Sequence, residues 1–388
     1  MKNIVILFVL LFTSSILYAQ QIRFNWQKCF SNDLTQFTYD ITMAGNGYLL
    51  LVNQVQPEGT PNAGLSLIWL QKLDISGNVI WQKYYGSSTG GGAYRILKAT
   101  ENSFYIMGAT YDGGGDVTYD PYPGSKDIWI IKIDSSGNKL WDKIIGGTGS
   151  DQMEDIAVTA DAGIIVVGFF NSPDGDPGSY IGDASSYYGF WDFWVVKLDS
   201  DGNKVWDYTL GSPWIEYGIT VVATSDGGCL AGGSLHSDPG GNVECYDEGI
   251  QAVLVKLNAN GEMEWQKCYG SSGIDQVDCI LETTDGYIIG AQTAGGDLDI
   301  EGAGYHEGYD HLGNPTADIW IYKIDKNGNK LWGKCFGGSN DEVTDRLFQT
   351  STGDIIVFGH TQSVDGDITN NHHALGNDKD IWMLKLTG

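Results

Sequence analysis

Arginine is nearly absent from this chain. Arg23, Arg95 and Arg346 are the only three in 388 residues, and Lys and Arg together number 22 against 49 Asp and Glu. The formal charge is −27. Such an excess of acid keeps a chain soluble and repels nucleic acid and anionic membrane surfaces, leaving cations and neutral groups as compatible partners. Familiar chemical motifs are also missing: there is no P-loop, no GxGxxG, no nucleophile elbow, no CxxC and no zinc spacing. After residue 17 no apolar run is long enough to span a membrane. The six cysteines (Cys29, Cys229, Cys245, Cys268, Cys279 and Cys335) follow no disulfide framework. Cys29, Cys268 and Cys335 share the phrase W-x-K-C and are expected to fill the same buried slot that Tyr84 and Ile144 fill elsewhere.

Two features are abundant: an apolar N-terminus and repetition. Lys2, the apolar stretch Ile4–Leu17 and Tyr18-Ala19-Gln20 have the charged, apolar and cleavable regions of a secretory signal peptide. Residues 1–19 are therefore expected to be removed, leaving 20–388 as one exported domain, extracellular, periplasmic or at the cell surface. With 42% hydrophobic residues this domain can bury a core.

The phrase DIWIIKIDSSGNKLWDK, Asp127 to Lys143, recurs down the chain. Its second half ends at Trp26, Trp81, Trp141, Trp206, Trp265 and Trp332. Its first half contains Trp69, Trp129, Trp194, Trp320 and Trp382, with Val253 replacing Trp in one copy. The copies lie about 60 residues apart, a period in the range of propellers. Within the phrase, Trp129, Ile131 and Ile133 share one face of a strand, and Ile128, Ile130 and Lys132 the other. Both faces are mainly apolar, so the strand is sandwiched between two layers. Asp134-Ser-Ser-Gly137-Asn138 is a hairpin turn, with Asp opening it and Gly taking the positive φ. Two further strands precede each phrase, as in 155–159 and 163–170, or 278–283 and 287–292. Four antiparallel strands per repeat predict an all-β, six-bladed β-propeller. The expected blades are 36–85, 93–145, 152–210, 216–269, 275–336, and 342–386 joined by 23–30. The last lends closure: the C-terminal DIWMLKLTG lacks a second half, and the N-terminal RFNWQKCF lacks a first.

The phrases DIWIIKIDSSGNKLWDKIIGG and DFWVVKLDSDGNKVW resemble those of secreted bacterial propeller-repeat proteins, common among exported and surface proteins of Bacteroidetes. The resemblance covers nearly the whole mature chain. It implies the fold and leaves the activity open. Two enzyme families share parts of the pattern. Quinoprotein dehydrogenases have a similar Asp, Gly and Trp turn, but the spacing here differs by one. Sialidases have an Asp-box hairpin, but their bidentate carboxylate clamp needs clustered arginines, and Arg23 lies on an outer strand.

Binding residues are therefore sought on the long loops, 111–126, 171–191, 235–249, 293–317 and 361–379. Asp174 with Asp176, Asp297 with Asp299, and Asp365 with Asp367 sit in Gly-rich turns and are candidate Ca²⁺ ligands, since Ca²⁺ takes six to eight oxygens. The same residues also suit ordinary Asp-Gly turns. His306-Glu307 and His311 resemble H-E-x-x-H, but the histidines are five apart on a loop, which suits no zinc helix. Trp191 and Trp214 are the two tryptophans outside the repeat. With Tyr187, Tyr188, Tyr217 and Glu216 they form a candidate platform for a glycan or a protein hot spot, Asp183 and Glu216 accepting hydroxyl hydrogen bonds. The expected function is a non-enzymatic, monomeric binding scaffold. The alternatives are a polysaccharide hydrolase or lyase using the acidic rim of Asp151, Glu154, Asp275, Asp278, Glu342 and Asp345, or a purely structural scaffold.

Overall fold

The computed structural model describes residues 36–44, 48–55, 67–178, 180–181, 190–236, 240–245, 249–369 and 379–387. These residues form six antiparallel sheets, each built from strands consecutive in sequence. Sheet 1 comprises Gln36–Ala44, Tyr48–Val55, Leu67–Leu73 and Val79–Tyr85, and sheet 2 Gly91–Thr100, Ser103–Thr110, Asp127–Asp134 and Lys139–Ile145. Sheet 3 comprises Asp151–Val158, Ile164–Phe170, Asp192–Leu198 and Lys204–Leu210, and sheet 4 Glu216–Ala223, Cys229–His236, Ile250–Leu257 and Met263–Tyr269. Sheet 5 is Asp275–Thr283, Gly286–Thr293, Asp318–Asp325 and Lys330–Phe336. Sheet 6 has three described strands, Glu342–Gln349, Ile355–Thr361 and Asp380–Leu386.

The sheets pack face to face in chain order. Five buried apolar clusters each join one sheet to the next, from sheets 1 and 2 through to sheets 5 and 6. This serial stacking makes the chain a β-propeller repeat protein. The third strands are sandwiched as their two apolar faces require: Ile128, Trp129, Ile130 and Ile131 are all buried. Every first strand slips register by one residue, the inserted residues being Tyr39, Tyr94, Glu154, Ile219, Asp278 and Asp345. These bulges twist the strand. They also explain why the first strand of sheet 3 begins at Asp151 rather than at 155: the ladder continues across the bulge. The residues after the bulges, Asp40, Arg95, Asp155, Thr220, Cys279 and Arg346, all line one central cavity of about 330 Å³.

The repeated phrase is a hairpin that also locks onto its neighbour. Asp134 Oδ1 accepts the backbone N–H groups of Ser136 and Asn138, both at 2.8 Å, and Gly137 sits at φ 71°. The indole of Trp81, from sheet 1, lies against Gly137, so a Cβ there would stand 2.6 Å from the ring. The next copies repeat the contact. Trp141, Trp206 and Trp265 donate their indole N–H to the turn carbonyls of Ser200, Ala259 and Lys326 in the following sheet. Two repeat lysines take part as well: Lys72 and Lys132 donate to the carbonyls of Ser135 and Ser200 in the following sheet, whereas Lys256 and Lys323 pair with Asp226 and Asp285 of their own sheets.

One expectation is corrected. Cys268 is not a plain core residue like its repeat-mate Cys335, because it is disulfide-bonded to Cys245 and ties a long loop to an outer strand. Cys229, Cys279 and Cys335 are free and buried. Burial pushes the Cys229 thiol up to about 12, so it is inert near neutral pH. Cys29 lies outside the described residues.

Candidate functional site

The long loops and the blade-to-blade connections emerge on one face, and the Asp-Gly turns are bolted to it from beneath. Asp174 Oδ1 accepts the N–H and hydroxyl of Thr148; Asp297 Oδ1 accepts Ser272 N–H and Asp365 Oδ1 accepts Ser339 N–H. Two residues further on, Asp176, Asp299 and Asp367 donate their backbone N–H to the carbonyls of Gly146, Gly270 and Gly337. Each D-G-D or D-L-D thus clips a long loop to the connection leading from the preceding sheet into its own. The first carboxylate of each pair is directed at an N–H donor. Among the described residues no three His, Cys, Asp or Glu side chains are grouped as metal ligands.

The aromatic residues assemble over sheets 3 and 4. Trp191 meets Phe169 edge-on at 5.1 Å, and Phe169 meets Tyr217 at 4.8 Å. Trp214 packs edge-on against Phe190 at 5.9 Å and stacks on His236 at 6.5 Å. Trp214 keeps 43% of its surface exposed, while Trp191 and Tyr217 are half-buried. Phe169, Phe190 and His236 also belong to this shelf; His236 was legible only as a histidine at a loop edge. Tyr187, Tyr188 and Asp183 lie outside the described residues. Glu216 is fully buried: its two carboxylate oxygens accept the N–H and hydroxyl of Ser212, so it offers nothing to a ligand on the shelf.

Among the described residues the loop histidines do not converge, and His372 and His373 lie outside those residues. His306 Nδ1 lies 2.9 Å from Asp318 Oδ2, His311 is exposed, and His360 sits between Asp345 and Lys379. The acidic rim also divides. Glu154 and Asp345 are exposed and Asp278 half-buried. Asp151, Asp275 and Glu342 are wholly buried in the sheet junctions.

Those junctions hold an arrangement that no single motif announces. The first residue of a sheet donates its backbone N–H to the carbonyl just before the third strand of the preceding sheet: Asp151 to Lys126 at 2.8 Å, Glu216 to Trp191 at 2.7 Å, Glu342 to Ala317 at 2.7 Å. This sets Asp151 beside Asp127, Glu216 beside Asp192 and Glu342 beside Asp318. A Cβ on Gly146 would lie 2.1 Å from Asp127 Oδ1 and 2.7 Å from Asp151 Oδ2, so only glycine leaves room for both carboxyl groups. Gly337 stands likewise against Asp318 and Glu342. Burial pushes all six acids upward, Asp192 and Glu216 to about 7 and Asp318 to about 6. The sequence signal was present as two separate features, an acid opening D-x-W and an acid opening the next first strand. Their meeting across the junction depends on sheet packing.

No family model matches this chain. It is 24% identical over 212 residues to the regulatory protein FlaEY of Caulobacter vibrioides, covering 52% of this chain and 22% of that protein. It is 25% identical over 142 residues to an uncharacterized WD repeat-containing protein of Acanthamoeba polyphaga mimivirus, covering 35% of this chain and 10% of that one. The chain thus matches less than a quarter of the length of either relative. Among solved structures, the Neurospora crassa Pan2 WD40 domain superposes with a TM-score of 0.44 at 10% identity, covering 82% of this chain and 74% of that one. An acylaminoacyl peptidase superposes at 0.42 and 13% identity, covering 84% and 43%.

Proposed function

We propose that the chain is exported, folds as a closed six-bladed propeller, and serves as a non-enzymatic scaffold that binds a protein partner on its long-loop face. The aromatic shelf carries the binding reading. Large rigid rings with one face exposed are typical protein hot spots. Sugar recognition needs polar acceptors beside the rings, and the carboxylate expected there, Glu216, is buried beneath the shelf. Catalysis by paired carboxylates has the same difficulty, since the closest acid pairs are shut away from solvent. The Cys245–Cys268 disulfide supports export, because such bonds persist in oxidising compartments.

Closure of the ring is supported by what is uncovered. Ile128 and Ile130 are at most 1% exposed, but their counterparts in sheet 6, Ile381 and Met383, are 77% and 66% exposed. On sheet 1, Ile41 is 53% exposed, while its counterparts Ile96, Ile156 and Val221 are buried. These two apolar faces are complementary; the expected fourth strand of sheet 6, residues 23–30, lies outside the described residues.

The binding reading is tested with Trp214→Ala and Tyr217→Ala, compared with the parent for capture of exported proteins by a photo-crosslinker placed on loop 240–245. A specific crosslinked protein, lost in the variants while their unfolding midpoints stay unchanged, is the expected result. Signal on a glycan array instead transfers the shelf to sugar binding. Silence in both assays leaves a structural scaffold.

A further inference from the structure

The five junctions between consecutive sheets handle one electrostatic problem in different ways. At the junction of sheets 1 and 2 the two positions are Leu67 and Gly91, and no acid is present. At sheets 4 and 5 the first is Gln251, an amide, which donates to the Ser271 carbonyl at 2.7 Å beside Asp275. At sheets 5 and 6 the pair is Asp318 and Glu342, and His306 turns its Nδ1 onto Asp318 at 2.9 Å. The remaining two, Asp127 with Asp151 and Asp192 with Glu216, have neither amide nor imidazole.

In those two pairs one member accepts two donors. Asp151 Oδ2 accepts Gly147 N–H and the Ser172 hydroxyl, and Glu216 accepts both donors of Ser212. The other member has one occupied oxygen. Asp127 Oδ2 accepts the Ser125 hydroxyl and Asp192 Oδ2 accepts Ile181 N–H. Asp127 Oδ1, Asp151 Oδ1 and Asp192 Oδ1 are buried and have no donor within the protein. The charged groups that act on these pairs are acids as well: Asp151 and Asp120 on Asp127, Asp176 on Asp151, and Asp192 on Glu216. Two ionised carboxylates side by side out of water repel strongly. A proton held between them removes one charge and supplies the missing donor.

We propose that Asp127–Asp151 and Asp192–Glu216 each hold one shared proton at neutral pH, making the two junctions of sheet 3 a pH-sensitive element that loosens as the proton leaves in alkali. The sign follows from linkage. An acid that titrates higher in the folded state than in the unfolded state binds more protons when folded, so stability is greatest in acid and falls as pH rises through the folded value. The raised values at Asp192 and Glu216, about 7, place that loss around and above neutrality. The same connections anchor the long loops through Gly146 and Asn242, so a loosened junction is felt at the loop face.

The test uses the full mature chain and the double variant Asp127→Asn with Asp192→Asn, in which an amide replaces each proton permanently. The parent midpoint of thermal unfolding is expected to fall by several degrees between about pH 6 and about pH 9. The variant should lose most of that slope and be the more stable protein at the alkaline end. Infrared spectra of the unaltered chain supply a second readout independent of whether the variant folds: a protonated carboxyl C=O band at neutral pH that disappears in alkali. An unchanged slope in the variant, absence of the band, or a parent midpoint that collapses on chelation or removal of cations would overturn the proposal, the last assigning the pairs to a metal ion.

Discussion

Identical residues in the repeat do not bear equal weight, and their cost depends on what the neighbouring sheet places over them. Trp320 is completely buried between sheets, while Trp332, twelve residues on in the same phrase, is 43% exposed. Trp332 is placed to cover the turn of the following sheet, and among the described residues sheet 6 has no such turn. Replacing Trp320 by Ala is expected to cost about 3–5 kcal/mol, the usual loss for a buried aromatic. Trp332→Ala should cost no more than about 0.5 kcal/mol. Urea unfolding of the two variants checks the contrast, and equal losses would mean that Trp332 is covered after all. Gly137 is a third case, combining positive φ with the Trp81 ring 2.6 Å from where its Cβ would be. The turn requirement alone was readable from D-x-x-G-N. The indole above it was not, because its owner is a residue of another repeat.

At the level of the element, the long loops look irregular in sequence yet each is fastened by the same clip. Substituting both Asp174 and Asp176 by Ala removes the acceptors for Thr148 N–H and Gly146 N–H. The expected loss is about 1 kcal/mol per clip bond or less, since the loop is solvated. On this account neither EDTA nor added Ca²⁺ shifts the unfolding midpoint of the parent. An upward shift with Ca²⁺ that disappears in the variant would instead restore these aspartates as ion ligands. Strands were the legible elements, since their period-two pattern and Gly turns are local. The pairing of Cys245 with Cys268, and the burial of Glu216 below the aromatic shelf, were not legible. The first follows from how a long loop folds back over an outer strand and the second from how two sheets meet, and side-chain type alone encodes neither.

For the whole molecule, the repeat count and serial order could be read directly, because each phrase supplies one hairpin. How the ring joins had to be argued from the two incomplete phrases at the ends. A chain beginning at Gln36 lacks the segment proposed to complete sheet 6. It is expected to unfold at a clearly lower temperature than the mature chain and to bind a hydrophobic dye through the uncovered faces bearing Ile41 and Ile381. Equal midpoints and no dye binding would rule out closure by residues 23–30. The formal charge of −27 acts at this scale too, since its self-repulsion opposes compaction and is screened by salt.

The indole laid on the next sheet's glycine has a direction: sheets 2, 3 and 4 each offer a ring on one side and a receiving turn on the other. A contact between unlike surfaces is heterologous, and such contacts generate either closed rings or open fibres. The unit therefore carries no instruction to stop at six. In the closed ring proposed above, termination would reside in the curvature accumulated per sheet and in the meeting of the first and last sheets. A chain that gained or lost one repeat would face the same choice between a ring of new size and head-to-tail polymerisation.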